Sequence, residues 1–303
     1  MEKVNAVRVG DSSLVATDNL TARCGSVFWW DMSGHIDIDA FQKKLEANYL
    51  SKTFGVKPPT CKTALNRAVE ESRPGRTVKH RLAKDGSWVI TAIREDKNKD
   101  DPEYAVTIKV KLNAMNGVSC QYDSNNAEAV AMAAQIKKQY AYFLDVFTPT
   151  DIVGWFVDKV VAGCNGIAMR RHGGCYFIPS PYDATELKLA VDVVKSLSDS
   201  QFYILPVMRQ EDAIDAVMRS LSEEAKQFEK EMQEAASDVT KGERALVARQ
   251  HQCEAFIHKL KKYEELLNTS TSNISEKIVD VKAALATAAF AAEARAEEAK
   301  ENE

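Results

Sequence analysis

Between Pro59 and Asp85 the chain gathers seven basic residues, Lys62, Arg67, Arg73, Arg76, Lys79, Arg81 and Lys84. They stand against Glu70, Glu71 and Asp85, a local net of +4. Cations at this density suit phosphate, because they neutralise it and release its counterions, which makes binding salt-sensitive. His80 adds to the charge when protonated. A second basic spot, Arg170-Arg171-His172, lies further along, at the tip of a hairpin. Both have a plainer account: charge runs are commonly solvated faces, and a hairpin tip meets water in any case.

Other reactive residues give less. His251 and His258 share a helix face, but Cys253 lies off it, and metal ligation favours i, i+3 or i+4 spacing with an acid nearby. His35 with Asp37 and Asp39 reads first as a turn and helix cap. Asp31, Asp37, Asp39, Asp145 and Asp151 include no pair whose spacing marks a magnesium site. No phosphate-binding glycine loop, dinucleotide fingerprint, nucleophile elbow or zincin helix occurs. No cofactor is expected, and an enzyme with a dispersed metal site ranks behind non-enzymatic readings.

The elements that must position the basic residues follow from periodicity. Val27 to Met32 reads as a strand, and adjacent Trp29 and Trp30 would point to opposite faces. Asp37 or Asp39 caps a helix with Ile38, Phe41, Leu45 and Tyr49 on one apolar face. Thr60 caps a second helix through Ala64, Leu65, Ala68 and Val69. Lys84-Asp85-Gly86-Ser87 joins two β-rich runs as a hairpin, and Tyr104–Leu112 is a further strand. Strand, helix, helix and hairpin in that order is the order of a winged helix-turn-helix, whose second helix enters the major groove while the wing follows the backbone.

A helix follows over Asn126–Phe147, and Thr150 or Asp151 caps another through Ile152–Val161. Gly166–Pro179 is a hairpin about His172-Gly173-Gly174, with one of Tyr176 and Phe177 turned to the core. Helix then hairpin thus occurs at 60–94 and loosely again at 151–179. Asp183–Leu197 is amphipathic, and Phe202–Leu205 is a strand closed by Pro206. Beyond Pro206 there is no proline and only one glycine, Gly242. Three long helices are expected there as a hairpin or bundle. Thr240 with Glu243 forms a capping box, Asn273 with Glu276 caps the last helix, and residues 293–303 carry a net of −3.

The expected fold class is α+β: two small helix-plus-hairpin α/β modules, then a long helical C-terminal extension. The segments are a flexible arm at 1–24, an α+β domain with winged-helix-like order at 25–120, a second α/β module at 126–207, and the helical extension with its acidic tail at 208–303. An apolar share of 45 % supports a real core, and a net charge of −4 gives no general attraction to nucleic acid or membrane, so any such binding is local. Six cysteines without a C-x-x-C pair, and no signal-peptide pattern at Met1-Glu2-Lys3-Val4, suggest a reducing, cytoplasmic setting.

Val27–Gly34, Pro58-Pro59 with Thr63-Ala64-Leu65-Asn66-Arg67-Ala68, and Gly173-Gly174-Cys175-Tyr176-Phe177-Ile178-Pro179 occur in an order that resembles an uncharacterised family of bacterial and phage proteins. The resemblance covers about residues 25 to 230 and implies a microbial or phage cytoplasmic context, with host cytoplasm the setting if viral. It carries no activity to any residue. Cys175 stands where an aliphatic residue is expected, which suits a buried strand.

The leading expectation is a non-enzymatic nucleic-acid-binding protein. It would touch DNA or RNA through Pro59–Arg94, helped by Arg170 and Arg171, and form homo-oligomers through the helices after Asp212. The rival is a protein–protein adaptor or inhibitor acting on a host complex through the helical extension.

Overall fold

The computed structural model describes residues 5–9, 12–16, 23–72, 78–94, 103–170 and 174–301; of these 5–16, 78–81, 92–94, 103–107 and 298–301 are described by backbone alone. The strands are β1 (Asn5–Val9), β2 (Ser12–Ala16), β3 (Arg23–Asp31), β4 (Ile36–Asp37), β5 (Val78–Leu82), β6 (Trp88–Arg94), β7 (Glu103–Leu112), β8 (Val118–Gln121), β9 (Val146–Phe147), β10 (Ile167–Ala168), β11 (Tyr176–Pro179) and β12 (Gln201–Met208). The helices are α1 (Ile38–Ala47), α2 (Ser51–Phe54), α3 (Cys61–Glu71), α4 (Ala127–Asp145), α5 (Pro149–Trp155), α6 (Glu186–Lys195), α7 (Glu211–Ser237), α8 (Glu243–Leu267) and α9 (Ser272–Glu301). The fold is α+β, with its long helices at the C-terminal end.

The chain divides into two compact units. One comprises Met1–Asp31, Phe156–Asp192 and Ser200–Glu303; the other comprises Met32–Trp155 and Val193–Asp199. The boundaries differ from the sequence segments because β3 leaves the helices that follow it and pairs with strands far down the chain.

In the first unit the sheet order is β10-β11-β3-β12. The predicted Gly166–Pro179 hairpin is present as β10 and β11, with Ile167 opposite Phe177. Gly25 is required where β3 meets β11, since a Cβ there would lie 2.3 Å from the Ile178 carbonyl oxygen. Trp29 stacks on Tyr203 at 5.4 Å and Trp30 on Tyr176 at 5.3 Å, so the two indoles serve opposite faces. Tyr176 and Phe177 are both buried, which exceeds the one expected. β12 runs straight through Pro206 rather than stopping at it, and it can do so because it is an edge strand.

The three long helices pack on one another, and their apolar residues close a core with Cys24, Ile167 and Phe177 of the sheet. Leu221, Leu260, Tyr263 and Leu285 are fully buried there, and Phe228 stacks on Phe256 at 4.6 Å. Two polar ties fix α8 to the chain before β10. Lys259 Nζ donates to Glu224 and, at 2.7 Å, to the Gly166 carbonyl; Tyr263 Oη donates to the Asn165 carbonyl at 2.7 Å. The expected Thr240–Glu243 capping box does not form: Gly242 is the N-cap, and Thr240 Oγ1 donates to Asp238 instead. The last helix begins at Ser272, one residue before the Asn273 expected to cap it, behind buried Thr271. Within the expected arm, β1 and β2 pair as an antiparallel hairpin.

In the second unit β5-β6-β7-β8 form an antiparallel meander, with α3 and α4 on one face. β4 and β9 make a separate short pair. Pro149 opens α5, where its missing N–H costs nothing. The cap is Thr148, not Thr150 or Asp151: Asp151 Oδ2 accepts from the Thr148 N–H at 2.8 Å and from its hydroxyl at 2.9 Å. Past Trp155, in the first unit, the chain widens into a π-helical turn over Phe156–Val161, inside the run read as one helix.

Candidate nucleic-acid interface

α3 starts at Thr60, whose hydroxyl accepts from the Thr63 N–H, and buries Ala64, Leu65, Ala68 and Val69. α4 starts at Asn126 and buries Met132, Ile136, Tyr140 and Phe143. Both faces close on Ile90, Ile108 and Val110 of the meander. Strand alternation then fixes the rest. Across the sheet, the rows Leu82–Trp88–Val110–Cys120 and His80–Ile90–Ile108 are in register with this core.

The intervening rows are Arg81–Val89–Lys109–Gln121, Lys79–Thr91–Thr107 and Lys111–Ser119. Arg81 of β5 therefore shares a row with Lys109 of β7, and Lys79 and Lys111 lie on the neighbouring rows of the same face. Among the described side chains of these rows none is buried. Lys111 and Gln121 are exposed; Val89, Thr91, Lys109 and Ser119 are half-buried. Lys109 Nζ lies 2.8 Å from Asp85 Oδ2 at the β5–β6 turn. That ammonium, with the Ser87 hydroxyl and N–H, holds the Asp85 carboxyl well below its usual range. Gly86 takes a positive φ of 74° in the same turn, as the Asp-Gly signal requires.

The bases singled out in the sequence do not form one surface. Lys62 is exposed on α3, on the helix-covered side of the sheet. Arg67 is engaged within the fold: its Nη2 meets Asp151 Oδ1 at 2.5 Å, while its Nη1 is buried with no hydrogen-bond partner. Lys79 and Arg81 fall on the uncovered rows, and Lys84 is exposed at the turn. Arg170 belongs to the other unit, where its guanidinium lies over Gly174. Arg73, Arg76 and Arg171 lie outside the described residues. Between β3 and the β5–β6 hairpin stand β4, α1, α2 and α3; β3 pairs with β11 and β12, and the β5–β6 hairpin continues into β7.

Sequence reasoning missed Lys109 and Lys111. The signal was Ile108-Lys109-Val110-Lys111-Leu112, a strict alternation that marks a half-buried strand with a cationic outer side. The other candidate groups stay apart. His35 Nδ1 lies 2.9 Å from Tyr142 Oη, and His251 pairs with Glu254 on an exposed helix face. Among the described residues, no three His, Cys, Asp or Glu side chains gather in a way that could hold a metal ion, and no helix is long and apolar enough to cross a membrane. All six cysteines are free; burial pushes the Cys164 thiol up to about 12, with Glu186 adding to the rise.

Comparison with curated proteins and with solved structures gives no match. The sequence itself, over residues 24–298, matches a family of unknown function, and the chain belongs to that family, DUF6744.

Proposed function

We propose that this protein binds nucleic acid through the uncovered rows of the β5–β8 sheet. The observation that carries the reading is that Lys79, Arg81, Lys109 and Lys111 fall on alternating rows of one sheet face, on which none of the described side chains is buried. Lys84 at the adjoining turn extends the surface. A cationic sheet face without a groove-sized helix reads charge and spacing along the phosphate backbone rather than base edges. Binding on this view is salt-dependent and weakly selective for sequence.

The test is fluorescence anisotropy with a labelled 20-bp duplex across a salt series. Four phosphate contacts give a slope of log K against log salt of about −4, and reversing Lys109 and Lys111 to Glu flattens it by about 2. Equal binding by wild type and this variant at low salt refutes the reading. The proposal includes assembly through α9, supported by its outward Val279 and Phe290, 51 % and 74 % exposed. A mass in solution that does not change on deleting 240–303, after allowing for the lost residues, counts against assembly.

One observation favours the adaptor reading. Edge strand β12 is uncharged and shows Tyr203 and Leu205, 48 % and 55 % exposed, so it offers backbone groups and apolar anchors to an extended segment of a partner.

A further inference from the structure

Tyr49 was expected on the apolar face of α1 with Ile38, Phe41 and Leu45. It lies instead just past the helix end and is 91 % exposed. Its backbone is left-handed, with φ at 58°. The end of α1 is a Schellman motif: Leu50 N–H donates to the Leu45 carbonyl at 2.8 Å, and Tyr49 N–H to the Glu46 carbonyl at 3.0 Å. Tyr49 holds the position in that motif that glycine fills with least strain, and a bulky residue there is a conformational outlier. The corner is held from both sides. Leu45 and Leu50 are buried beneath it, and the Leu50 carbonyl at once accepts the first bonds of α2. The fold thus keeps a strained residue whose ring contributes almost nothing to the core.

The surroundings say what the ring is for. From Lys43 to Lys57 four lysines, Lys43, Lys44, Lys52 and Lys57, stand against Glu46 alone. All four are exposed, and among the described residues none is ion-paired. Lys44 sits in the last turn of α1 and Lys52 in the single turn of α2, with Tyr49 between them in the chain. A projecting aromatic flanked by ammonium groups meets the two needs of an unpaired nucleotide: a surface for the base to stack on and cations for the phosphates beside it.

We infer that the α1–α2 corner is a stacking site for single-stranded nucleic acid, with Tyr49 taking the base and Lys43, Lys44, Lys52 and Lys57 the flanking phosphates. The inference shares only its ligand class with the sheet-face reading; the residues are different. A base inside a duplex is already stacked, so the corner selects single strands.

The experiment uses the full chain and a labelled dT15 strand, with a 15-bp duplex and a 15-residue poly-glutamate peptide alongside. Tyr49→Gly is expected to weaken single-strand binding about tenfold. Its melting temperature should stay level or rise, because glycine relaxes the corner, and a merely structural tyrosine would show no loss of binding. Tyr49→Phe keeps the affinity. The inference is overturned if wild type does not bind dT15 or if Tyr49→Gly binds it as wild type does. It is also overturned if binding depends on the lysines but not on the ring and poly-glutamate competes equally, since that is an acidic-peptide surface. The Lys109→Glu/Lys111→Glu variant separates the two proposals. If it loses the duplex but keeps the Tyr49 effect, both stand. If it loses duplex and strand alike while Tyr49→Gly changes nothing, only the sheet face stands.

Discussion

Among the described residues are two four-stranded sheets, and they solve opposite problems. In β10-β11-β3-β12 the central strands are apolar on both sides: Phe28 and Tyr176 serve one face, Val27 and Phe177 the other. In β5-β6-β7-β8 mostly apolar rows alternate with rows of Lys, Arg, Thr, Ser and Gln that also hold Val89, and among the described residues one face alone joins a core. A continuous apolar run fits a strand enclosed between layers, and an alternating run fits one that keeps a side in water. Strand number and pairing are thus no guide to what a sheet offers its surroundings; the period of the side chains decides it.

The largest effect that would test this contrast is in the enclosed sheet. Phe28 is fully buried and lies within 6.3 Å, between ring centroids, of Trp30, Tyr176 and Phe156. Phe28→Ala removes a large side chain from a site with little freedom to collapse, for a loss of about 3–5 kcal/mol. Hydrogen exchange in β3, β11 and β12 reads it, and a loss under about 1 kcal/mol would mean that this sheet is not enclosed on that face.

Each unit also holds an arginine–aspartate pair between distant parts of the chain. Arg23 meets Asp183 at 2.5 Å in the first, where Ser26 also donates to Asp183; Arg67 meets Asp151 in the second. The Asp183 side chain is fully buried and its Oδ1 has no protein partner, whereas Asp151 keeps 23 % exposure. Asp183→Ala should therefore cost about 2–3 kcal/mol, below the range for wholly buried pairs because Arg23 still reaches water. Asp151→Ala should cost less, about 1–2 kcal/mol, from the pair and the Thr148 cap together. Denaturant midpoints rank the two, and a larger loss at Asp151 would reverse the comparison.

The second pair carries a pH signature. Burial pushes the Asp151 carboxyl up, but Arg67 and the Thr148 N–H and hydroxyl outweigh it and leave it below its ordinary 3.8. A carboxyl lowered by folding adds stability above the unfolded value and loses it as pH falls through the folded one. The stability gap between wild type and Asp151→Asn should be full above about pH 4 and close on further acidification. A gap that stays constant through that range removes the carboxylate from the account.

Much of this organisation was legible in the residues. Caps at Asp37 and Thr60, the Asp-Gly turn, the Gly166–Pro179 hairpin and the tail helices follow from local chemistry, and local chemistry is what spacing records. What was not legible needed distant partners. β3 looked like the opening strand of a winged helix because nothing local says that its neighbours are β11 and β12. Arg67 looked free because Asp151 lies 84 residues away in sequence. Tyr49 fits the apolar spacing of α1, and only the Schellman hydrogen bonds reveal that the helix has ended before it. For the candidate surface, the charge count found Lys79, Arg81 and Lys84, while Lys109 and Lys111 needed the register of β7 against β6.

The smallest expected effect bears most directly on the contrast between the sheets. Lys111 is exposed on an uncovered row, opposite Ser119. Lys111→Gln removes a charge without unpacking anything, so stability should stay within about 0.5 kcal/mol. Val27 packs on the core that the long helices share with β3, opposite Phe177. Val27→Gln sets an amide against that core with no partner in place, at about 1–3 kcal/mol. The two substitutions end in the same residue, one on each sheet, so the propensity and entropy of glutamine largely cancel. What remains is the difference between a face that meets water and a face that meets helices. If urea midpoints for the two variants agree, the open face of the meander is covered by something, and the lysines there are not available to a phosphate backbone.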